Sequence, residues 1–400
     1  MRRRLPIAVM RSEWACRRLW ASRLGTIDRW SKSWFVSVGR ELGQADAVIV
    51  FDPSGFPKKG AKSAGVARQW LGRLGKVDNG QVGVYMGYAS RVEHILVDTR
   101  LYLPQEWTKD KQRCKAAGVP KDEMRFRTRH QLALEMLDEH GETLPHAWVA
   151  GDSEMGRSTR FRRDLADRQQ QYLLAVPSNT TIRDLEEKPP KSAGGGGRRK
   201  VPFRQVRKWV DQLPKDAWTS IPVRDGDKEP LSVDILSRRV QAKTEKRRVG
   251  PEETLVVIRY QEESGDVKHD YHLSNASAKT SLKEFARVSK QAHRIEESIK
   301  RGKSEAGLAD YQVRNWLGWH HHQVLSLIAV WFLVLEALRG KKMDTGYHRP
   351  SAPRSTLNHD PSRVEVSHAA TTCPRARAKT PTQRTRPLLS LQSSKKASAT

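Results

Sequence analysis

AVIVFDPSGF, residues 47–56, passes from five apolar residues to a polar run that contains Asp, Pro, Ser and Gly. The apolar half is rich in β-branched side chains and predicts a short buried strand. The residues 52–55 are typical turn formers, so the strand is expected to close in a turn there. Asp52 would then stand just past the end of the first strand.

The residues that follow predict an alternation of strands and helices. Residues 82–88 and 94–101 are expected to form an antiparallel three-strand meander with the first strand. The later elements are a helix over 128–142, a strand over 146–150 that leads into Asp152, a basic helix over 157–168 and a strand over 171–176. Three strands, helix, strand, helix, strand is the order of a ribonuclease H-like α/β fold.

Composition divides the chain into five segments. Alternating stretches such as LSVDIL and TLVVIRY predict a β-rich insertion, and a glycine run before them predicts a flexible connector. The last segment is basic and rich in Ser, Thr and Pro, which predicts disorder. The predicted segments are a basic leader at 1–41 that would be the remnant of a DNA-binding region, the first part of the core at 42–190, the insertion with its linker at 191–280, two core helices at 281–340 and a disordered tail at 341–400.

The charge of the chain indicates its class of partner. Lys and Arg number 73 against 45 Asp and Glu, a formal net charge of +28. Such an excess suits a long polyanion such as DNA or RNA better than a neutral small molecule. A solvated basic face or a basic tail would also produce it.

Cysteine usage and hydropathy favour a cytoplasmic protein with no membrane partner. Cys16, Cys114 and Cys373 have no paired spacing, so neither a disulfide framework nor a zinc knuckle is indicated. The most apolar run, 324–338, is short for a membrane span and contains Glu336. A helix buried all round in the core is the favoured interpretation of that run.

Three carboxylates carry the predicted chemistry. Metal-dependent phosphodiester transfer needs acidic side chains from separate elements, because two ions roughly 3.5–4 Å apart clamp the attacking and leaving oxygens. Asp52 follows the first strand and Asp152 the fourth, and in a ribonuclease H-like sheet these strand ends lie side by side. Glu296 lies on the helix after the insertion. The alternatives are that Asp52 shapes a turn, Asp152 caps a helix and Glu296 belongs to a solvated helix face.

Three sequence blocks resemble those of bacterial insertion-sequence transposases of the DDE type. Residues 48–90 are similar to the first catalytic block, in which an Asp-x-Ser-Gly-Phe-x-Lys-x-Gly motif ends the first strand, matched here from Asp52 to Gly60. HAWVAGDSEMGR, at 146–157, resembles the second block and matches Asp152. The run from Arg294 onward is similar to the family's glutamate helix, where a Lys stands seven residues after the metal-binding Glu, as Lys303 does after Glu296.

This resemblance implies a ribonuclease H-like core with a β-rich insertion, in which Asp52, Asp152 and Glu296 hold two Mg²⁺ or Mn²⁺ ions. It further implies cleavage of double-stranded DNA at element ends, strand transfer into target DNA, and a homodimer on DNA. The cations expected to contact the DNA backbone are Lys58, Lys59, Arg68, Arg157, Arg294 and Lys303.

Two departures from the family pattern keep alternatives open. The family signature expects Tyr and Arg where Ser289 and Ala292 stand, so Glu297 is retained as an alternative third ligand. Both ends of the chain are expected to be truncated or altered. A DNA-binding remnant without catalysis, and a ribonuclease H-like nuclease without strand transfer, are therefore the alternative functions.

Overall fold

One mixed sheet organises the computed structural model, which describes residues 25–190, 200–224, 231–261, 265–277 and 279–346. Twelve strands of these described residues join it, in the order β2-β3-β1-β5-β6-β12-β11-β10-β7-β8, with β4 paired to β3 and β9 to β10. The strands of the first half are β1 (Val48–Pro57), β2 (Ala67–Leu71), β3 (Lys76–Ala89), β4 (His94–Leu101), β5 (Trp148–Gly151) and β6 (Tyr172–Ala175).

Strand β1 is the centre of this first half. It pairs antiparallel with β3 along its whole length and parallel with β5, and β5 in turn pairs parallel with β6. Strand β3 also pairs antiparallel with β4, so the predicted three-strand meander is confirmed. The result is a mixed α/β fold with a large mixed sheet, consistent with the core organisation expected from the order of elements.

The turn predicted at residues 52–55 is wrong. Strand β1 continues through Pro57, and Ser54 and Phe56 pair with residues of the fourteen-residue strand β3. Strand β5 pairs with β1 only as far as Phe51, which leaves one edge of the later part of β1 open. Proline cannot donate to a ladder but is tolerated on such an edge, so Pro53 does not end the strand.

Helices cover both faces of the first half, because β1 alternates its side chains between two cores. Val48 and Val50 belong to one cluster of buried residues together with Val288, whereas Ile49 and Phe51 belong to another. The helices of the first half are α1 (Gly25–Leu42), α2 (Gln105–Lys109), α3 (Lys111–Ala116), α4 (Arg129–His140), α5 (Ser153–Arg157) and α6 (Thr159–Asp167).

Local capping explains where these helices begin. Thr128 and Gln131 form a capping box at the start of α4, and the helix ends at His140, as predicted. The basic helix predicted at 157–168 corresponds to α6, and the short helix α5 before it was not predicted. Asp152 caps α5 by accepting hydrogen bonds from the N–H groups of Glu154 and Met155, and Ser158 caps α6 by accepting one from Phe161.

The insertion extends the core sheet. Strand β12 pairs antiparallel with β6, which joins the strands of the insertion to the first half. The insertion is mostly β, as predicted, with one short helix. Its elements are β7 (Thr181–Asp184), β8 (Arg204–Gln205), α7 (Val206–Val210), β9 (Thr219–Arg224), β10 (Leu231–Lys243), β11 (Val249–Gln261) and β12 (Val267–Ser274).

Two long helices follow the insertion, α8 (Leu282–Glu305) and α9 (Trp316–Gly346). Helix α9 is not buried all round: Val330 and Val334 are buried, but Phe332 is 51% exposed and Leu325 40%. By length and composition alone its segment Trp316–Gly340 could cross a membrane, and 33% of the apolar window lies inside the protein. A core helix of a soluble protein satisfies the same two criteria, so this is weak evidence of a membrane span.

Several predictions fall outside the described residues. They are those for most of the leader, for the glycine run and for the basic tail. The last part of the leader is described: helix α1 buries Trp34, Phe35 and Val38 against the sheet.

Candidate active site

The two aspartates follow a matched pair of residues on neighbouring parallel strands. Phe51 of β1 is paired with Gly151 of β5. Asp52 is the next residue of β1, and Asp152 is the first residue after β5. The structure therefore brings Asp52 and Asp152 to the same place in the sheet although 100 positions separate them. Asp152 also caps α5, because its Oδ1 accepts hydrogen bonds from the N–H groups of Glu154 at 3.1 Å and Met155 at 3.0 Å.

Asp52 is the electrostatic centre of the site. Burial first, and then the carboxylates of Asp152, Glu296 and Glu154, raise the pKa of its carboxyl to about 8, against the opposing effect of Lys303. Three carboxylates and one ammonium act on Asp52, so negative charge exceeds positive charge around it. Such a site favours a bound cation.

Asp152 shares this environment. Burial raises the pKa of its carboxyl to about 6, helped by Glu154 and Glu296, while hydrogen bonds from backbone N–H groups lower it. Since Glu296 acts on both aspartates, helix α8 places it within electrostatic range of both, across 144 and 244 positions of the sequence. Glu297 acts on His94 instead. Of the two candidate third ligands, Glu296 is the one whose charge raises the pKa of both aspartates.

Glu296 is not turned fully toward the aspartates. Its side chain is 63% exposed and pairs with His293, Oε2 to Nδ1 at 3.5 Å. Within the part of the chain that the structure describes, no group of three or more His, Cys, Asp or Glu side chains is arranged tightly enough to hold a metal ion.

Lys303 lies on the same side of α8 as Glu296, two helical turns later. Its Nζ donates to Ser54 Oγ at 2.8 Å and lies 4.9 Å from the centre of the Phe56 ring. Since Ser54 stands two residues beyond Asp52 on β1, this hydrogen bond fixes the register of α8 against the strand. The ammonium also partly neutralises Asp52.

The other predicted DNA contacts divide into two groups. Lys59, Arg68 and Arg157 have exposed side chains. The charged groups of Lys58 and Arg294 contact other parts of the protein. Lys58 Nζ donates to the Tyr311 carbonyl at 2.9 Å and lies 3.3 Å from the centre of the Tyr311 ring. Burial lowers the pKa of Lys58. Arg294 pairs with Glu93 at 3.4 Å and donates to the Ser90 carbonyl at 3.3 Å.

Sequence reasoning missed Glu154, which lies in the first turn of α5. Arg129 holds it from α4, donating from Nη1 to both carboxylate oxygens at 2.7 Å and from Nη2 to Gln69 Oε1 at 3.1 Å. The position of Glu154, two residues after Asp152 in the second block, was the available signal. A Glu within one turn of a metal-binding Asp is a natural neighbour for it.

Asp270 of β12 was also missed. Burial raises the pKa of its carboxyl, His293 lowers it and Glu296 raises it further. The insertion thus brings a carboxylate to the His293 and Glu296 pair. No sequence signal marked it, because only the pairing of β12 with β6 brings this strand to the core.

The donor set fits Mg²⁺ or Mn²⁺. Both ions prefer carboxylate oxygens, and the uncompensated negative charge at Asp52 favours a cation there. Asp52 and Asp152 are in place, and Glu296 would complete the set by turning away from His293. A separate cavity of about 460 Å³ lies on the insertion and shares no residue with these carboxylates.

One comparison with known proteins finds a family whose match includes both aspartates. Residues 33–230 match the profile of the DDE superfamily endonuclease family. No curated protein sequence matches. Among solved structures, a piggyBac transposase in a synaptic complex with hairpin DNA aligns with a TM-score of 0.30 and 11% identity, over 74% of this chain and 49% of that one. The chain thus spans about half the length of that transposase. Residues 33–230, which carry Asp52, Asp152 and their strands, are therefore similar to a DDE superfamily endonuclease domain.

Proposed function

We propose that the protein is the transposase of a bacterial insertion sequence, which cuts double-stranded DNA at the ends of the element and joins them to target DNA. The observation that supports this proposal most is the neighbouring placement of Asp52 and Asp152 on two parallel strands, with Glu296 near enough to raise the pKa of both. The resemblance of three sequence blocks to this class of transposase supports it.

The residues divide the work of the reaction. Asp52, Asp152 and Glu296 would hold two Mg²⁺ or Mn²⁺ ions, which when bound activate a water or a 3′ hydroxyl and offset charge on the scissile phosphate. Asp152 is held by the N-terminus of α5, and Glu154 is held by Arg129. Lys303 keeps α8 in register through Ser54 and places a positive charge beside the phosphate position.

DNA reaches this site along an exposed basic surface. Lys59, Arg68 and Arg157 have exposed side chains and would neutralise backbone phosphates without reading bases. Two DNA ends must be cut and joined in one event, so we expect two copies of the chain to act together. Binding that depends on phosphate neutralisation weakens steeply as salt concentration rises.

The test is a plasmid that contains the DNA flanking the gene on both sides. Purified full-length protein with Mn²⁺ should nick it at the boundaries of the element and join pre-cut ends to a second plasmid. Glu297→Gln serves as the matched control for Glu296→Gln, because the two residues are adjacent and both exposed. Glu296→Gln should abolish both reactions, and Glu297→Gln should retain them.

Each alternative function has its own result. Binding without nicking in either metal would identify a catalytically inactive remnant. Nicking without joining, and without preference for the element's ends, would identify a ribonuclease H-like nuclease. Either result overturns the transposase proposal.

A further inference from the structure

The hairpin formed by β2 and the start of β3, residues 67–80, presents an aromatic side chain to solvent. Trp70 is 55% exposed and is paired across the strands with Val77, which is 50% exposed. Leu74, in the turn between them, is 39% exposed. A large apolar residue exposed on an outer strand of a sheet costs solvation free energy and often marks a binding surface.

Cations border this apolar patch. Arg68 alternates with Gln69 along β2 and therefore shares the exposed face of Trp70. Asn79 is the cross-strand partner of Arg68. The Nδ2 group of Asn79 donates to the carbonyls on either side of Lys59, those of Lys58 at 2.6 Å and Gly60 at 2.9 Å. These hydrogen bonds hold the backbone of Lys59 near Arg68. The patch thus combines an aromatic ring with two exposed positive charges.

The hairpin is firmly seated. Leu71 is fully buried on the opposite face, over two glycines: a Cβ added to Gly55 or to Gly80 would lie 2.8 Å from the Leu71 side chain. Gln69 Nε2 donates to the Gly80 carbonyl at 2.8 Å, and its Oε1 accepts from Arg129. Trp70 is therefore a rigid platform whose ordering costs little on binding.

Trp70 faces the same side of the sheet as Asp52. Asp52 is paired with Tyr85 on β3 and Trp70 with Val77, and side chains eight positions apart on a strand point to the same face. The part of this face between them is covered: Gln81, midway between Val77 and Tyr85 on β3, is 1% exposed, and the Tyr311 hydroxyl donates to its side chain at 2.8 Å. A DNA strand would therefore reach Trp70 around this cover and not along β3.

We propose that Trp70 stacks on an unpaired or unstacked base of the bound DNA, outside the carboxylate site. Arg68 and Lys59 hold the neighbouring phosphates. The inference rests on the proposed function for the identity of the polymer. DNA is favoured over a protein partner because cations flank the ring on the catalytic face, and aromatic rings between cations bind nucleic acid strands by stacking.

The test separates stacking from charge. Binding of the full-length protein is measured by fluorescence anisotropy to a labelled twenty-nucleotide oligothymidine and to an abasic strand with the same number of phosphates. Trp70→Ala should weaken binding to oligothymidine roughly 5- to 150-fold, since stacking one base on an aromatic side chain contributes that much. Binding to the abasic strand should not change.

Two control variants complete the design. Trp70→Phe keeps an aromatic face and should restore most of the affinity. Phe332→Ala, which removes an equally exposed ring from α9, should bind both strands like the unaltered protein. The proposal is overturned if Trp70→Ala binds oligothymidine normally, or if it loses the same factor on both strands.

The position of the stacked base has its own measurement on a duplex that the protein cuts. With 2-aminopurine at successive positions, the fluorescence difference between the unaltered protein and Trp70→Ala should be largest at a position outside the two nucleotides beside the cut. A difference confined to those two nucleotides overturns this placement. Loss of nicking by the unaltered protein together with intact base-dependent binding would reject the transposase function and leave the stacking site.

Discussion

Replacing Asp52 by Asn should stabilise the metal-free protein while it destroys DNA cleavage. The pKa of Asp52 is raised from 3.8 to about 8, by burial first and then by Asp152 and Glu296. Between these two values the unfolded chain releases a proton that the folded protein retains. Stability from this group is therefore complete below pH 3.8 and is lost as pH rises toward 8.

The size of the effect follows from the shift. Each pH unit above 3.8 lowers the free energy of unfolding by about 1.4 kcal/mol, which amounts to about 4 kcal/mol at pH 7. The Asp52 side chain keeps some contact with solvent, which screens part of this interaction, so about 2 kcal/mol is the expected gain for Asp52→Asn at pH 7. The gain should shrink to nearly zero at pH 4.

The assay is urea denaturation in EDTA from pH 4 to pH 8, with Asp98→Asn as a matched control. Asp98 is buried, which by itself raises its pKa, but Arg100 and His140 lower it overall. The ionised Asp98 carboxylate therefore stabilises the folded protein above the pKa that Asp98 has in the unfolded chain, and this stabilisation is lost as pH falls. Asp98→Asn should consequently destabilise the protein at pH 7. A loss of stability for Asp52→Asn at pH 7, or a gain independent of pH, would refute the electrostatic account of the site.

Three further substitutions test the packing around the site. Gly87→Ala places a Cβ about 2.6 Å from Ile295, so it should lower the free energy of unfolding by about 1–3 kcal/mol and reduce cleavage by displacing Glu296. The double variant with Ile295→Ala should lose less stability than the sum of the two single variants. Arg162→Met removes the charged partner of the buried Glu253, so the free energy of unfolding measured in urea should fall by about 3–5 kcal/mol. Arg160→Met breaks an exposed ion pair with Asp164, so the same free energy should fall by at most about 1 kcal/mol. His293→Ala frees Glu296 from an exposed ion pair, so Mn²⁺ affinity should rise by up to about fivefold; unchanged or weaker binding would show that His293 does not hold Glu296 away from the metal.

The order of core strands was predictable because it depends on local patterns. Each buried strand is a short apolar run bounded by turn residues, and Leu132, Met136 and Leu137 mark the helical period of α4. Register was not predictable in the same way. The continuation of β1 through Pro57 depends on the length of β3, which lies 20 or more residues away in the sequence.

The site was predicted in its residues but not in its geometry. Asp52 and Asp152 each follow a short apolar run that predicts a buried strand, and the order of the elements predicts that these two strands are neighbours. Glu154 and Asp270 were missed because their place depends on Arg129 and on the pairing of β12 with β6. The exposed face of α9 was missed because the sequence shows that Phe332 is hydrophobic but does not show whether another part of the protein covers it.

Binding of Mn²⁺ measured by electron paramagnetic resonance tests the joint metal site most directly. The unaltered protein is compared with Asp52→Asn, Asp152→Asn and Glu296→Gln, and with Glu297→Gln as the control. Each of the first three should weaken binding at least about tenfold, since each removes a direct ligand, and the control should bind normally. Normal Mn²⁺ affinity in the first three variants, or an equal loss in Glu297→Gln, would contradict a site built from Asp52, Asp152 and Glu296.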